Sequence, residues 1–125
     1  MDMKLELVMV PVTDVDRAKE FYVRAGFVAD HDQTVSEEIR FVQLTPPGSA
    51  CSIAIGRGLT QMEPGSLDNL QMVVADADAT KADLVERGIE VQGVEDLAWG
   101  RFVYFEDPDG NGWALQELPD YSARG

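Results

Sequence analysis

The sequence predicts an α+β fold made of two tandem βαβββ modules, which form a curved mixed sheet around a cleft with the helices on the outer face. Two observations support this prediction: the chain repeats itself at an offset of about 62 residues, and each repeat contains short apolar strands and one helix in the same order. A chain of 125 residues is long enough for one domain with a hydrophobic core. We expect a single domain over residues 1–125, divided into module 1 (about 1–56), a linker (about 56–66) and module 2 (about 67–118).

The repeat is clearest around the helices, where VTDVDRAKEFYVRAGF (12–27) aligns with VADADATKADLVERGI (74–89) without a gap. Further along, RFVQLTPPG (40–48) aligns with RFVYFEDPDG (101–110). The offset there is 101 − 40 = 61, and we expect it to return to 62 across the following turn. Both halves therefore keep the same order of features.

Each module is predicted to begin with an apolar strand that leads into a helix. The start of each helix carries an aspartate, Asp14 or Asp76, suited to cap free N–H groups, and each helix ends at a glycine, Gly26 or Gly88. The DPDGN segment (107–111) is predicted to be only a turn, because proline presets φ and Gly and Asn tolerate positive φ. The strands are predicted at about 4–12, 27–33, 38–45, 50–56, 67–75, 89–95, 101–107 and 112–118.

The charge and composition exclude several classes of partner. A formal net charge of −13 opposes binding to nucleic acid and to anionic membrane surfaces, but it is compatible with a cationic ligand. No stretch is apolar and long enough to span a bilayer, and the N-terminal run has no signal-peptide pattern. The single cysteine, Cys51, cannot form an internal disulfide, so we expect a cytoplasmic protein.

Three segments cover almost the whole chain: VMVPVTDVDRAKEFYVRAGF, LQMVVADADATKADLVERGIEV and FEDPDGNGWALQE. Together they resemble the vicinal oxygen chelate superfamily, which includes glyoxalase I, extradiol dioxygenases and bleomycin-resistance proteins. The resemblance implies a paired βαβββ fold, usually a homodimer, with a concave site on each sheet. It also implies that metal enzymes of this type hold one divalent ion with His, Glu or Gln side chains from the first and last strand of each module.

The positions that match those metal ligands carry Leu7, Ser52, Asn69 and Ala114 in this sequence. Leu and Ala cannot bind a metal, and Asn and Ser are weak ligands, so we expect no metal and no other cofactor. His31 stands between Asp30 and Asp32, but neighbours along a strand point to opposite faces. We therefore expect His31 to be a solvated strand residue.

Strand alternation predicts which side chains line the cleft. They are apolar and aromatic with scattered amides and hydroxyls, a composition that suits a neutral, partly aromatic ligand, and buried amides without partners would be costly in a closed core. Trp99 lies on a loop that could close over the cleft. The predicted ligand-binding residues are Leu5, Leu7, Met9, Phe41, Gln43, Ser52, Asn69, Gln71, Trp99, Phe102, Tyr104, Ala114 and Gln116.

The leading hypothesis is a metal-independent small-molecule binding protein of the glyoxalase/bleomycin resistance type, which sequesters a toxic aromatic or cationic natural product. The alternative is a glyoxalase-like lyase or dioxygenase that acts on a small organic substrate. A metal-free enzyme would need an acid or base in the cleft, and only Tyr104 or Glu106 at the rim would suit. A third hypothesis is a dimeric accessory subunit with a vestigial cleft. The sequence assigns no catalytic residue.

Overall fold

In the computed structural model, which describes residues 1–119, each half of the chain forms one helix and four strands. The chain divides into two units. Unit 1 contains Met1–Leu67 together with Asp107–Asn111, and unit 2 contains Asp68–Glu106 and the described residues from Gly112 onward. The predicted single domain extends to residue 125, and its last six positions lie outside the described residues. The elements of unit 1 are β1 (Leu7–Met9), α1 (Val15–Arg24), β2 (Val28–Thr34), β3 (Arg40–Thr45) and β4 (Ser52–Arg57), and those of unit 2 are β5 (Leu70–Val74), α2 (Ala77–Glu86), β6 (Gln92–Leu97), β7 (Gly100–Glu106) and β8 (Gly112–Glu117).

The two units have the same sheet topology. Unit 1 has the strand order β1-β4-β3-β2, in which β1 and β4 are parallel and the other pairs are antiparallel. Unit 2 has the order β5-β8-β7-β6 with the same directions. The predicted α+β fold of two tandem βαβββ modules is confirmed, arranged as two four-stranded mixed sheets.

The helix boundaries are where the repeat predicts them. The Asp14 side chain accepts a 3.1 Å hydrogen bond from the backbone N–H of Arg17, and the Asp76 side chain accepts one of 3.0 Å from Ala79. These are N-caps, each of which satisfies a backbone donor that the helix leaves free. After the helices, Gly26 and Gly88 adopt φ values of 109° and 85°, where glycine carries no steric penalty.

Each helix covers one face of its own sheet. In unit 1, α1 packs on β3 and β4 and buries Ala18 and Tyr22 completely. In unit 2, α2 packs on β6, β7 and β8, and the stacked rings of Phe105 and Trp113, 6.0 Å apart, are buried in that unit's core. Arg40 in β3 bonds Asp16 of α1, so its side chain marks the face of the unit 1 sheet that carries the helix.

No helix within residues 1–119 is long and apolar enough to cross a membrane.

The first strand of each module is shorter than predicted. The parallel ladder to β4 pairs only Leu7–Met9 with Ser52–Ala54, so Leu5 lies outside β1 and is 72% exposed. Asn69 precedes β5 and adopts a φ of 61°, which is incompatible with an extended strand. The predictions that Leu5 and Asn69 face inward from strands are therefore wrong, because the hydrogen-bonded ladder begins two residues later in β1 and one residue later in β5.

The segment 107–111 is a turn, as the sequence predicts, and it is also buried and hydrogen-bonded within unit 1. Asp107 is 4% exposed and Asn111 is fully buried within unit 1. The Asn111 amide donates a 2.8 Å hydrogen bond to the backbone oxygen of Pro11, and Asp107 accepts one of 2.7 Å from the hydroxyl of Tyr22. These long-range bonds anchor the turn in unit 1.

Candidate functional site

The face of each sheet that carries no helix is the candidate ligand surface, and we call it the helix-free face. The arginine contacts identify it, because Arg40 bonds Asp16 of α1 and Arg101 bonds Asp78 of α2. Side chains alternate along a strand, so the residues that follow each arginine, Phe41 and Phe102, point to the opposite side. The helix-free faces therefore begin at these two phenylalanines.

The helix-free face of unit 1 brings together five of the predicted residues: Leu7, Met9, Phe41, Gln43 and Ser52. Directly opposed residues share a face of a sheet. The pairing that shows this is Leu7 with Ser52, Met9 with Ala54, Gln43 with Ala54, and Phe41 with Gly56.

In unit 2, the helix-free face contains Gln71, Phe102, Tyr104, Ala114 and Gln116. Ala114 lies between Gln71 and Tyr104 in the sheet, and Gln116 is opposite Phe102. The rings of Phe102 and Tyr104 stack with an interplanar angle of 9°. Trp99 lies in the loop before β7 and is 58% exposed. These residues form a mixed aromatic and amide surface.

A chain of polar side chains crosses the helix-free face of unit 1. The amide Nε2 of Gln43 lies 3.3 Å from Oγ of Ser52, and Oγ of Ser52 lies 2.7 Å from Oγ1 of Thr45. The hydroxyl of Thr45 donates in turn to the carboxylate of Asp30. Asp30 is the extra residue where the ladder between β2 and β3 shifts register between Ala29 and His31. The sequence reasoning missed Asp30 and also Thr45, although Thr45 follows the same alternation as Phe41 and Gln43.

A similar chain of amides lies on the helix-free face of unit 2. Nε2 of Gln71 donates a 2.6 Å hydrogen bond to Oε1 of Gln116, and Nε2 of Gln116 donates one of 2.7 Å to the backbone oxygen of Trp99. Gln116 is 8% exposed, so its burial would be costly without these partners. Gln71 itself is exposed at the outer end of the chain.

The aromatic pair in unit 2 has a carboxylate beside it that the sequence did not identify. Glu95 lies opposite Phe102, after a register shift between Gly93 and Glu95. Burial of the phenol, together with the charge and hydrogen bonding of Glu95, raises the pKa of Tyr104. Glu106, the other carboxylate that sequence reasoning considered, is exposed at the end of β7. A glycine in an edge strand, such as Gly93, was the signal that could have indicated the bulge.

The positions that would hold a metal do not form a metal site. The loop between β3 and β4 spans residues 46–51 and the turn between β7 and β8 spans 107–111, one residue fewer. The offset between β4 and β8 is therefore 112 − 52 = 60, so Ala54, and not Ser52, corresponds to Ala114. Leu7, Ala54 and Ala114 offer no donor atoms, and Asn69 is exposed outside its strand. Within residues 1–119, no three His, Cys, Asp or Glu side chains are grouped so that they could hold a metal ion.

His31 does not form a site with its acidic neighbours. It lies opposite Gln43 and is exposed, whereas Asp32 lies on the α1 side, where its carboxylate bonds Arg40 and Lys19. Asp30 bonds Thr45. The two carboxylates therefore bond different partners on opposite faces of the sheet.

Comparison with known proteins identifies the family. The profile of the Glyoxalase/Bleomycin resistance protein/Dioxygenase superfamily matches residues 4–115. The chain belongs to this superfamily. The resemblance drawn from the sequence is thereby confirmed.

Solved structures with the same fold include relatives of high similarity. One is TnmS3 from Streptomyces sp. CB03234, described as an antibiotic binding protein, at 38% identity and a TM-score of 0.85, covering 94% of this chain and 98% of that one. A glyoxalase/bleomycin resistance protein from the same organism has 39% identity and a TM-score of 0.79, covering 91% of this chain and 100% of that one.

A relative found by sequence is the uncharacterized protein YetH of Bacillus subtilis, which is 27% identical over 117 residues, or 88% of this chain and 94% of that protein.

Proposed function

We propose that this superfamily member is a metal-independent binding protein for a small aromatic molecule, and that it sequesters a toxic natural product. We further propose that it acts in the cytoplasm, as its single cysteine suggests, and that it forms a homodimer, as members of the superfamily usually do. The observation that carries the proposal is the helix-free face of unit 2, where Phe102 and Tyr104 stack in parallel beside the amides of Gln71 and Gln116.

Stacked rings and anchored amides suit the recognition of an aromatic molecule. A flat ligand gains apolar contact from aromatic side chains, while a few fixed polar groups set its orientation. The amides are already hydrogen-bonded in place, so little side-chain order has to be gained on binding. This favours tight binding without any chemical step.

Three further observations support binding over catalysis. Three of the four positions that carry metal ligands in superfamily enzymes have side chains without donor atoms, Leu7, Ala54 and Ala114. The similar structure of TnmS3 is described as that of an antibiotic binding protein. The raised pKa of Tyr104 also keeps its phenol protonated at neutral pH, which makes it a poor general base.

The proposal is tested by isothermal titration of the purified chain with a panel of aromatic natural products, in chelator-treated and metal-supplemented samples. We expect saturable binding that is the same in both samples, followed by recovery of unchanged ligand by mass spectrometry. A Phe102→Ala variant should lose most of the affinity, whereas Phe21→Ala, a change in α1 of unit 1, serves as the control for a lost aromatic ring.

Two other outcomes would contradict the proposal. Metal-dependent binding, or release of a chemically altered ligand, would contradict the proposal and favour the lyase or dioxygenase alternative. Absence of binding across the whole panel would favour an accessory subunit.

A further inference from the structure

We propose that the helix-free faces present the side-chain carbonyls of Gln43 and Gln71 as fixed hydrogen-bond acceptors, and thereby select an aromatic ligand that carries O–H or N–H donors. This inference rests on the proposed function and specifies the chemistry of the ligand. It follows from the direction of the hydrogen bonds in the two polar chains. One end of each chain is a group that can only accept a hydrogen bond, and this group fixes the direction of the other hydrogen bonds in the chain.

In unit 1 the direction is set by Asp30. An ionised carboxylate has no hydrogen to donate, so the hydroxyl of Thr45 donates to it. The single hydrogen of Thr45 is then used, and the 2.7 Å contact with Ser52 requires that Ser52 donate to Thr45. Ser52 must therefore accept from Gln43, whose Nε2 lies 3.3 Å away.

The opposite orientation of the Gln43 amide does not satisfy this chain. If Oε1 of Gln43 faced Ser52, the serine hydrogen would be needed by both Gln43 and Thr45. One of the two contacts would then bring lone pairs together without a hydrogen. The carbonyl of Gln43 is consequently directed away from Ser52, and no hydrogen bond to it is present within residues 1–119.

In unit 2 the direction is set by the backbone oxygen of Trp99. A carbonyl can only accept, so the amide nitrogen of Gln116 faces Trp99 and its oxygen faces Gln71. Gln71 must then donate through Nε2, as the 2.6 Å contact shows, and its own carbonyl points away from the chain. Among the described residues, none donates to that carbonyl.

The aromatic pair also has an acceptor beside it. The carboxylate of Glu95 lies close enough to the phenol of Tyr104 to raise its pKa, and its oxygens can accept hydrogen bonds from a ligand. A ligand that brings further acceptors would leave these oxygens unpaired once water is excluded, which costs binding free energy. Phenolic hydroxyls or amino groups on a flat ring would satisfy them.

The test uses two probes that share a ring and differ in donors, 2,7-dihydroxynaphthalene and 2,7-dimethoxynaphthalene. Each is titrated into the ¹⁵N-labelled chain, and dissociation constants are read from NMR shifts, including the side-chain NH₂ signals of the glutamines. We expect the dihydroxy compound to bind about tenfold more tightly than the dimethoxy compound.

A variant separates donor recognition from the size of the methoxy groups. Gln71→Met removes the acceptor with little change in volume, and we expect it to lower the affinity for the dihydroxy probe about tenfold and to leave the dimethoxy probe unchanged. Gln61→Met, in the exposed linker, should change neither, and thermal unfolding of both variants checks that they are folded.

Three results would overturn the inference. Equal or tighter binding of the dimethoxy probe, or an equal loss for both probes in Gln71→Met, would remove the acceptor argument while the proposed function stands. Failure of both probes to bind at any soluble concentration would overturn the aromatic binding function as well.

Discussion

The hydroxyl of Tyr22 donates a 2.7 Å hydrogen bond to the carboxylate of Asp107, which lies 85 residues further along the chain. Tyr22 is fully buried and Asp107 is 4% exposed. Asp107 also accepts from the side chain of Asn111. A hydrogen bond to a buried charged group is among the stronger ones in a folded protein.

We expect Tyr22→Phe to destabilise the protein by about 1–2 kcal/mol, because Asp107 then loses a donor that water cannot replace in the interior. The free energy of unfolding in urea measures the effect. Tyr104→Phe removes a phenol from a less buried site and should cost less. Equal losses for the two variants would contradict a special role for the buried pair.

The repeated arginines should differ in their contribution to stability. Arg40 bonds both Asp32 and Asp16 with its side chain 13% exposed, whereas Arg101 bonds Asp96 and Asp78 with its side chain 38% exposed. We expect Arg40→Met to cost roughly 2 kcal/mol and Arg101→Met less than about 1 kcal/mol, because exposed ion pairs are screened by water. Urea unfolding of both variants in parallel tests the order, and the reverse order would refute it.

Acid should remove part of the stability through Asp32. Hydrogen bonds from Arg40, which has the larger effect, and from Lys19 hold the pKa of this carboxyl well below its ordinary value of 3.8. A lowered pKa in the folded state contributes stability that is complete above the ordinary value and is lost as the pH falls below it. We expect Asp32→Asn to be less stable than the unmodified protein at pH 7, with a difference that shrinks below about pH 4. A difference that stays constant from pH 7 to pH 2 would exclude this mechanism.

The two tryptophans offer a way to locate the ligand. Trp113 is buried and stacked on Phe105, whereas Trp99 is 58% exposed in the loop beside Gln116. In a Trp113→Phe variant the remaining emission comes from Trp99. We expect bound ligand to shift this emission to shorter wavelength and to protect it from acrylamide. Unchanged quenching at saturating ligand would place the binding surface away from Trp99.

Local chemistry predicted the fold well, because capping and alternation act within a few residues. Asp14 and Asp76 cap the helices as predicted, and Phe102 and Tyr104 share a face as strand alternation requires. The features that were missed depend on pairing between strands. The ladder with β4 decides that Leu5 lies outside β1, and no property of Leu5 itself indicates this.

The site was predicted less completely for the same reason. Glu95 reaches the helix-free face of unit 2 only because the ladder of β6 shifts register next to it. The equivalence of Ala54 to Ala114 depends on the length of a loop, which an alignment without strand pairing cannot fix. Polar partners such as Thr45 become visible only when the side chains are placed together.

The placement of residues 107–111 in unit 1 has a consequence for how the protein is made. Synthesis proceeds from the N-terminus, so the first half of the chain leaves the ribosome long before Asp107 and Asn111 are added. Until then the hydrogen bonds from Tyr22 to Asp107 and from the Asn111 side chain to Pro11 cannot form. Unit 1 therefore completes its interior only after residue 111 has been added, and a nascent chain stalled after residue 67 would remain an incomplete, protease-sensitive intermediate.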